Sequence, residues 1–329
     1  MQKGPRLNRI IVTNSVDPYE NLALEELLFE TQGGGATLYL WQNQHTVVIG
    51  RNQNAWRECR VELLESEGGF LARRSSGGGA VFHDLGNLNF TFLLPRGDYD
   101  LVRQLSVVQK AAARFGIETE FTGRNDLVLT ETKAKFSGNA FRFTHDTALH
   151  HGTILISADM QKLSRYLAPS KMKLEAKGVK SVVSRVTNLA DRNPDLNVEK
   201  MKTALIEAFT EEYGDAAPRG ENAVDLERLG GIRARYASWE WRFGNTPAFN
   251  ASFENRFDFG CLELLLNVKN GEVASLTCYT DAMDDTLSHR LKERLSGCVY
   301  GKRQLCERLR TGAEPDEHAI ADWLEQQNF

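Results

Sequence analysis

The densest chemical signal in the chain is Arg73-Arg74-Ser75-Ser76-Gly77-Gly78-Gly79-Ala80-Val81-Phe82-His83-Asp84. Three glycines let the backbone approach a ligand and turn N–H groups toward an oxyanion. Two arginines immediately upstream add planar donors for a carboxylate or phosphate. Charge and open backbone coincide here, whereas Gly33-Gly34-Gly35 has no basic flank and reads as a plain turn. The GxxxxGK[ST] and GxGxxG spacings are both absent, which argues against P-loop and dinucleotide-fold chemistry. A second signal is Ala134-Lys135-Phe136-Ser137-Gly138-Asn139-Ala140. Strand alternation puts Lys135 and Ser137 on one face and Phe136 on the other. Lys135 could hold a nucleotide phosphate and a carboxylate together while an acyl-phosphate bond forms. A surface lysine guarding an edge strand is the other reading.

Asp126, in Gly123-Arg124-Asn125-Asp126, can serve Mg²⁺ or a ligand amine, or be ordinary turn chemistry. His150-His151 lacks HExxH spacing, so packed or hydrogen-bonded rings are expected rather than a metal pair. The stretch from Ala168 to Asn197 is basic and broken by Pro169 and Pro194. It carries Lys171, Lys173, Lys177, Lys180 and Arg185 around Gly178, either as a solvated charge run or as a lid that attracts a polyphosphate. Length and position favour the lid. Cys59 is the only cysteine before Cys261, and Trp56-Arg57-Glu58-Cys59-Arg60 offers no paired base, which argues against thiolate catalysis.

The elements that must position these residues are legible as short runs. Residues 8–13 read as a buried strand, and Asp17-Pro18-Tyr19-Glu20 as a helix start with cap, N1 proline and capping-box carboxylate. Further strands are expected at 37–41, 46–50, 70–72, 80–83, 88–94, 126–130, 134–143 and 149–157, with helices at 100–115 and 197–213. Asn270-Gly271 predicts a hairpin between strands 256–269 and 272–279. A polar hinge at Gly244-Asn245-Thr246-Pro247 divides the chain into expected domains of residues 1–246 and 252–329.

Composition sets the outer limits. The 329 residues carry 40 Lys+Arg against 44 Asp+Glu, a net charge of -4, which argues against a general nucleic-acid binder. No apolar run approaches a membrane span or a signal core, and five cysteines without CxxC spacing fit a reducing compartment. A cytoplasmic protein is expected.

Taken together, the motifs resemble the lipoate–protein ligase A family. The resemblance runs through Asp17–Glu26, Thr46–Asn54, Arg73–Asp84, Gly123–Leu127, Lys135–Ala140 and His150–Thr153. It continues through Lys177-Gly178, Ser184–Leu189 and Trp239–Phe249. It implies an α+β fold, a biotin/lipoyl-ligase-like mixed-sheet catalytic domain followed by a small α+β C-terminal domain. It also implies activation of lipoate by ATP, with Mg²⁺, to lipoyl-AMP, then transfer to a lysine of apo lipoyl domains. The implied acceptors are E2 subunits of 2-oxoacid dehydrogenases and the glycine cleavage H protein, with octanoate as an alternative acid and a monomeric enzyme. By the resemblance, Arg74, Gly79, Ala80, Val81, Phe82, Lys135, Asp126, Lys177 and Gly178 serve the adenylate. Lys135 bridges its phosphate to the lipoyl carboxylate, and Val47, Gly77, Gly78 and His151 line the lipoyl tunnel or its mouth. Arg73, Ser75 and Asn125 are their neighbours. The rivals are a lipoyl or octanoyl transferase using preformed acyl-AMP or an acyl carrier, and a non-catalytic lipoyl-binding protein.

Overall fold

The computed structural model describes residues 7–329 apart from 124, 168–185, 219–224, 247, 281, 283, 285 and 328. β1 (Asn8–Val12) leads into α1 (Pro18–Glu30), followed by β2 (Thr37–Trp41) and β3 (Thr46–Ile49). Two short helices, α2 (Ala55–Glu58) and α3 (Val61–Ser66), precede β4 (Phe70–Arg73), β5 (Val81–His83) and β6 (Asn87–Pro95). Next come α4 (Leu101–Ala113), β7 (Thr119–Phe121), β8 (Asp126–Leu129), β9 (Lys135–Phe143), β10 (Thr147–Leu155) and α5 (Met160–Tyr166). The chain continues through α6 (Val198–Tyr213), β11 (Ala216–Pro218), α7 (Leu226–Ala237) and a π-helical turn at Glu240–Gly244. It closes with β12 (Phe249–Phe257), β13 (Gly260–Lys269), β14 (Glu272–Thr280), α8 (Leu287–Leu295), α9 (Lys302–Arg310) and α10 (Pro315–Glu325).

Helix starts follow their caps. Asp17 accepts from the Tyr19 and Glu20 amides, while Asp100, Asn197 and Asp225 do the same for α4, α6 and α7. Glu20 does not close a capping box; its carboxylate accepts the Ser15 hydroxyl at 2.7 Å instead. α1 is buried on almost every side, including Glu25 and Glu26, because it lies between sheets.

Eight strands form a mixed sheet in the order β11-β1-β2-β6-β10-β9-β8-β7. β1 runs parallel to both neighbours, and from β2 onward every pairing is antiparallel. One face packs on α4 and α6 through Phe90, Phe92, Leu105, Val108, Met201, Leu205 and Phe209. The other face meets α1 and a small sheet, β4-β3-β5, through Leu22, Tyr39, Trp41, Val48, Ala72 and Leu149. This second interface holds the functional residues.

The third sheet, β12-β13-β14, is a meander whose second turn uses Asn270 at φ 51° and Gly271 at φ 74°. Those left-handed conformations are the ones a two-residue hairpin needs. Leu262, Leu264, Leu266 and Val268 alternate onto one face and pack against α8, α9 and α10. Trp56 joins this unit to the rest, its ring 5.1 Å from Tyr300 and 5.3 Å from Phe243. Among the described residues no helix is long and apolar enough to cross a membrane.

Candidate active site

Strand register lays out the floor of a cavity of about 280 Å³ between the two sheets. Trp41 on β2 lies opposite Asn89 on β6, which lies opposite Thr153 on β10; His151 lies opposite Ala140 on β9, and Gly138 opposite Asp126 on β8. The roof is Val48, Arg74, Gly79, Ala80, Val81 and His83 from the small sheet and its loop, with Leu22 of α1 beside them. The cavity is therefore polar at the β8–β9 end and apolar at the β2 end. At strand spacing, β2 to β9 spans about 14 Å.

At the polar end the Lys135 ammonium lies 2.7 Å from Asp126 Oδ1, with both side chains partly exposed. Gly138 makes this possible, because a Cβ there would stand 2.7 Å from Lys135 Nζ. The Asn139 amide and side chain both donate to Asn125 O, fixing the turn before Asp126. His150 lies behind that turn, on the opposite sheet face, with Nε2 2.8 Å from Asn139 Oδ1 and Nδ1 2.7 Å from the Gln104 side-chain amide. Burial lowers its pKa to about 3, so the ring is neutral. The Thr187 amide donates to Lys135 O, and Val186 lines the cavity. Lys177 and Gly178, like Arg124, lie outside the described residues.

The two arginines divide their tasks. Arg74 lines the cavity and holds the glycine loop, donating to Val48 O, Gly77 O, Gly79 O and Ser76 Oγ. Gly78 has φ 89°, a left-handed conformation that suits glycine, and a Cβ there would lie 2.8 Å from the Arg74 guanidinium. Arg73 points away and is wholly buried. It donates to the carbonyls of Gly50, Arg51, Gln53, Trp241 and Arg242 and to the Thr246 hydroxyl. Burial lowers both guanidinium pKa values to about 10.

Side-chain parity separates other neighbours. Ser75 is buried away from the cavity, whereas Ser76 Oγ lies 2.6 Å from His151 Nε2. His151 Nδ1 in turn lies 2.8 Å from Glu25 Oε1, which also accepts Thr91 Oγ1, and Thr91 accepts Trp41 Nε1. This chain ties the apolar end of the cavity to the Arg74 loop. Val48 faces the cavity, while Val47 and Phe82 pack behind the small sheet with Leu71 and Tyr166. Gly77 and Gly78 are exposed at the loop tip, and neither they nor Arg73 and Ser75 line the cavity.

Arg74, Gly79, Ala80, Val81, Asp126, Lys135, His151 and Asn125 are thus brought together around one space. Sequence reasoning did not single out Leu22, Glu25, Trp41, Val48, Ser76, His83 or Asn89. Ser76 and Val48 stand one residue from positions it named, and strand or loop parity was the missing information. All five cysteines remain thiols; Cys59 is buried and its pKa is pushed well above the ordinary thiol range. Among the described residues no group of three or more His, Cys, Asp or Glu side chains could hold a metal unaided.

Residues 17–210 match the model of the lipoyl protein ligase A/B catalytic domain, and residues 246–324 that of the bacterial lipoate protein ligase C-terminus. Lipoate-protein ligase A of Psychrobacter cryohalolentis is 44% identical over 307 residues, covering 90% of each chain. The crystal structure of P. falciparum LipL1 in complex with lipoate superposes with a TM-score of 0.64 at 30% identity, covering 97% of this chain and 100% of that one. The bipartite lipoate protein ligase of Thermoplasma acidophilum, solved in a study of its lipoylation system and E2 lipoyl domain, gives 0.65 at 25% identity over 74% and 98%. The chain therefore belongs to the lipoyl protein ligase A/B family.

Proposed function

We propose that this protein is an ATP-dependent lipoate–protein ligase. The observation that carries this reading is the polarity of the cavity. An apolar slot lined by Leu22, Trp41, Val48 and Val81 ends at Lys135, beside the backbone of Gly79–Val81. That arrangement suits a medium-chain acid laid with its carboxylate at a nucleotide phosphate.

In the first step a carboxylate oxygen of lipoate attacks the α-phosphorus of ATP, and pyrophosphate leaves. Lys135 neutralises both approaching anions by exchanging Asp126 for them, and Arg74 keeps the glycine-loop amides turned to the nucleotide. Gly79, Ala80, Val81 and Phe82 contact it through their backbone, and Lys177-Gly178 completes the adenylate site. Asp126 as a single carboxylate fits the way Mg²⁺ is held, by one or two carboxylates plus substrate phosphates. The ion would spread phosphate charge. In the second step a lysine ε-amine of an apo lipoyl domain attacks the acyl carbonyl; an amide forms and AMP leaves. E2 subunits and the glycine cleavage H protein are the acceptors of this reading, in the cytoplasm, with a monomeric enzyme divided into residues 1–246 and 252–329.

Val47, Arg73 and Ser75 enter this reading as buried supports behind the lipoate-binding wall, and Gly77 and Gly78 as the exposed tip of the loop that Arg74 holds, rather than as contacts. The buried Cys59 gives no support to a thiol-dependent acyl transferase. ATP–pyrophosphate exchange tests the first step. Exchange that requires lipoate is expected, and its absence with an intact fold overturns the ligase reading.

A further inference from the structure

The apolar end of the cavity contains two buried donors with no acceptor among the described residues, His83 Nε2 and Asn89 Nδ2. The His83 tautomer is fixed from outside the cavity. Asn21 Nδ2 donates to the backbone carbonyls of Ser15 and Gln42, which can only accept, so this nitrogen is also what Asn43 Oδ1 meets at 3.0 Å. Asn43 therefore turns its Nδ2 to His83 Nδ1 at 3.2 Å, and that ring nitrogen must accept. Burial, with the Arg74 charge beside it, lowers the His83 pKa to about 3 and keeps the ring neutral. The single ring proton is then on Nε2.

The position of this N–H matters as much as its state. His83 stands edge-on to Trp41 with ring centroids 6.1 Å apart, in the roof over the β2 end of the floor. Lys135 stands at the β9 end, three strands away. An eight-carbon acid with its carboxylate at Lys135 runs along the cavity with its far end toward His83. A hydrocarbon tail displaces solvent from the N–H and leaves it dry, whereas a tail with an acceptor replaces the lost bond.

Resting on the ligase reading for its substrate, we propose that His83 is a specificity-determining donor. Its Nε2–H meets an acceptor near the far end of the acyl chain and selects dithiolane-bearing lipoate over octanoate. Asn89 Nδ2 supplies a second donor to the same end.

The test is equilibrium binding by titration calorimetry of lipoate, octanoate and 8-hydroxyoctanoate to the full chain and to His83→Leu. In the wild type the two acceptor-bearing acids gain over octanoate, and in His83→Leu that advantage falls about ten-fold. An advantage unchanged in a folded His83→Leu overturns the proposal. Because the readout is affinity, it stands apart from the ligase reading, which fails if exchange with lipoate is absent. Should His83→Leu not fold, ¹⁵N resonances of the wild-type imidazole decide. An Nε2–H form that shifts with 8-hydroxyoctanoate but not octanoate supports the proposal, and an Nδ1–H or doubly protonated ring overturns it.

Discussion

Replacing Arg73 with Met separates scaffold from ligand contact. Family resemblance puts Arg73 beside the lipoate, yet its guanidinium is wholly buried and faces five carbonyls and the Thr246 hydroxyl. Those acceptors belong to the loop after β3 and to the π-helical turn before β12, so one side chain ties two distant segments to β4. Hydrogen bonds to a charged group are each worth about 1.5–3 kcal/mol, but backbone relaxation recovers part of that. Leaving several of these buried acceptors unpaired, at about 1–3 kcal/mol each before relaxation, costs about 3–5 kcal/mol in all. At ~2–4 °C per kcal/mol for a chain of this class, the thermal midpoint should drop by roughly 10 °C. Arg73→Lys keeps the charge but not the fork, and should recover less than half of the loss. The assay is thermal unfolding alongside the lipoate KM measured well below the transition. The reasoning is refuted by an unchanged midpoint together with a KM raised about ten-fold, the loss expected of a direct carboxylate contact.

Lys135→Ala should lower ATP–pyrophosphate exchange by about 100-fold or more with an unchanged circular-dichroism spectrum, since the side chain is partly exposed and its ion pair is with Asp126. Gly138→Ala should fold normally yet lose most exchange, because the added methyl displaces the mobile end of Lys135 and meets no backbone; equal activity in both proteins would remove that reason for the glycine. His150 is held neutral with its pKa lowered to about 3, so as pH falls below about 6.5 the unfolded chain takes up a proton that the folded chain refuses. Its contribution to stability, full above that range, should drain away toward pH 3, and His150→Gln should flatten stability against pH by ~1.4 kcal/mol per unit. Identical slopes for the two proteins would contradict the assignment.

Local rules carried much of the fold into view. Asp17-Pro18, Asn270-Gly271 and the β-branched and aromatic runs announce their elements because caps, left-handed turns and period-two burial are short-range properties. Glu20 departs from the capping box because Ser15 is a nearer partner for its carboxylate. The helices at 55–58, 61–66 and 226–237 escape a periodicity reading, the first two for shortness and the third for its Gly230-Gly231 pair and polar surface. In the site, the glycine loop was legible from residue type alone, whereas Lys135 read equally as an edge-strand lysine and took its role from the family resemblance. Which member of each adjacent pair faces the cavity was not. Val48 over Val47 and Arg74 over Arg73 at the cavity, like Ser76 over Ser75 at His151, are decided by the stacking of the small sheet on the large one. Glu25 was hidden for the same reason: a helix carboxylate reads as solvated until a sheet histidine is found against it.

The central claim is that one cavity activates lipoate with ATP and delivers it to a lysine. The most direct measurement is the intact mass of an apo lipoyl domain after incubation with this protein, lipoate and Mg-ATP, with parallel samples lacking ATP or given lipoyl-AMP. The account predicts a lipoyl mass increment that requires ATP, or arises from lipoyl-AMP without it. Modification from lipoyl-AMP alone, or no modification in any sample, would contradict it.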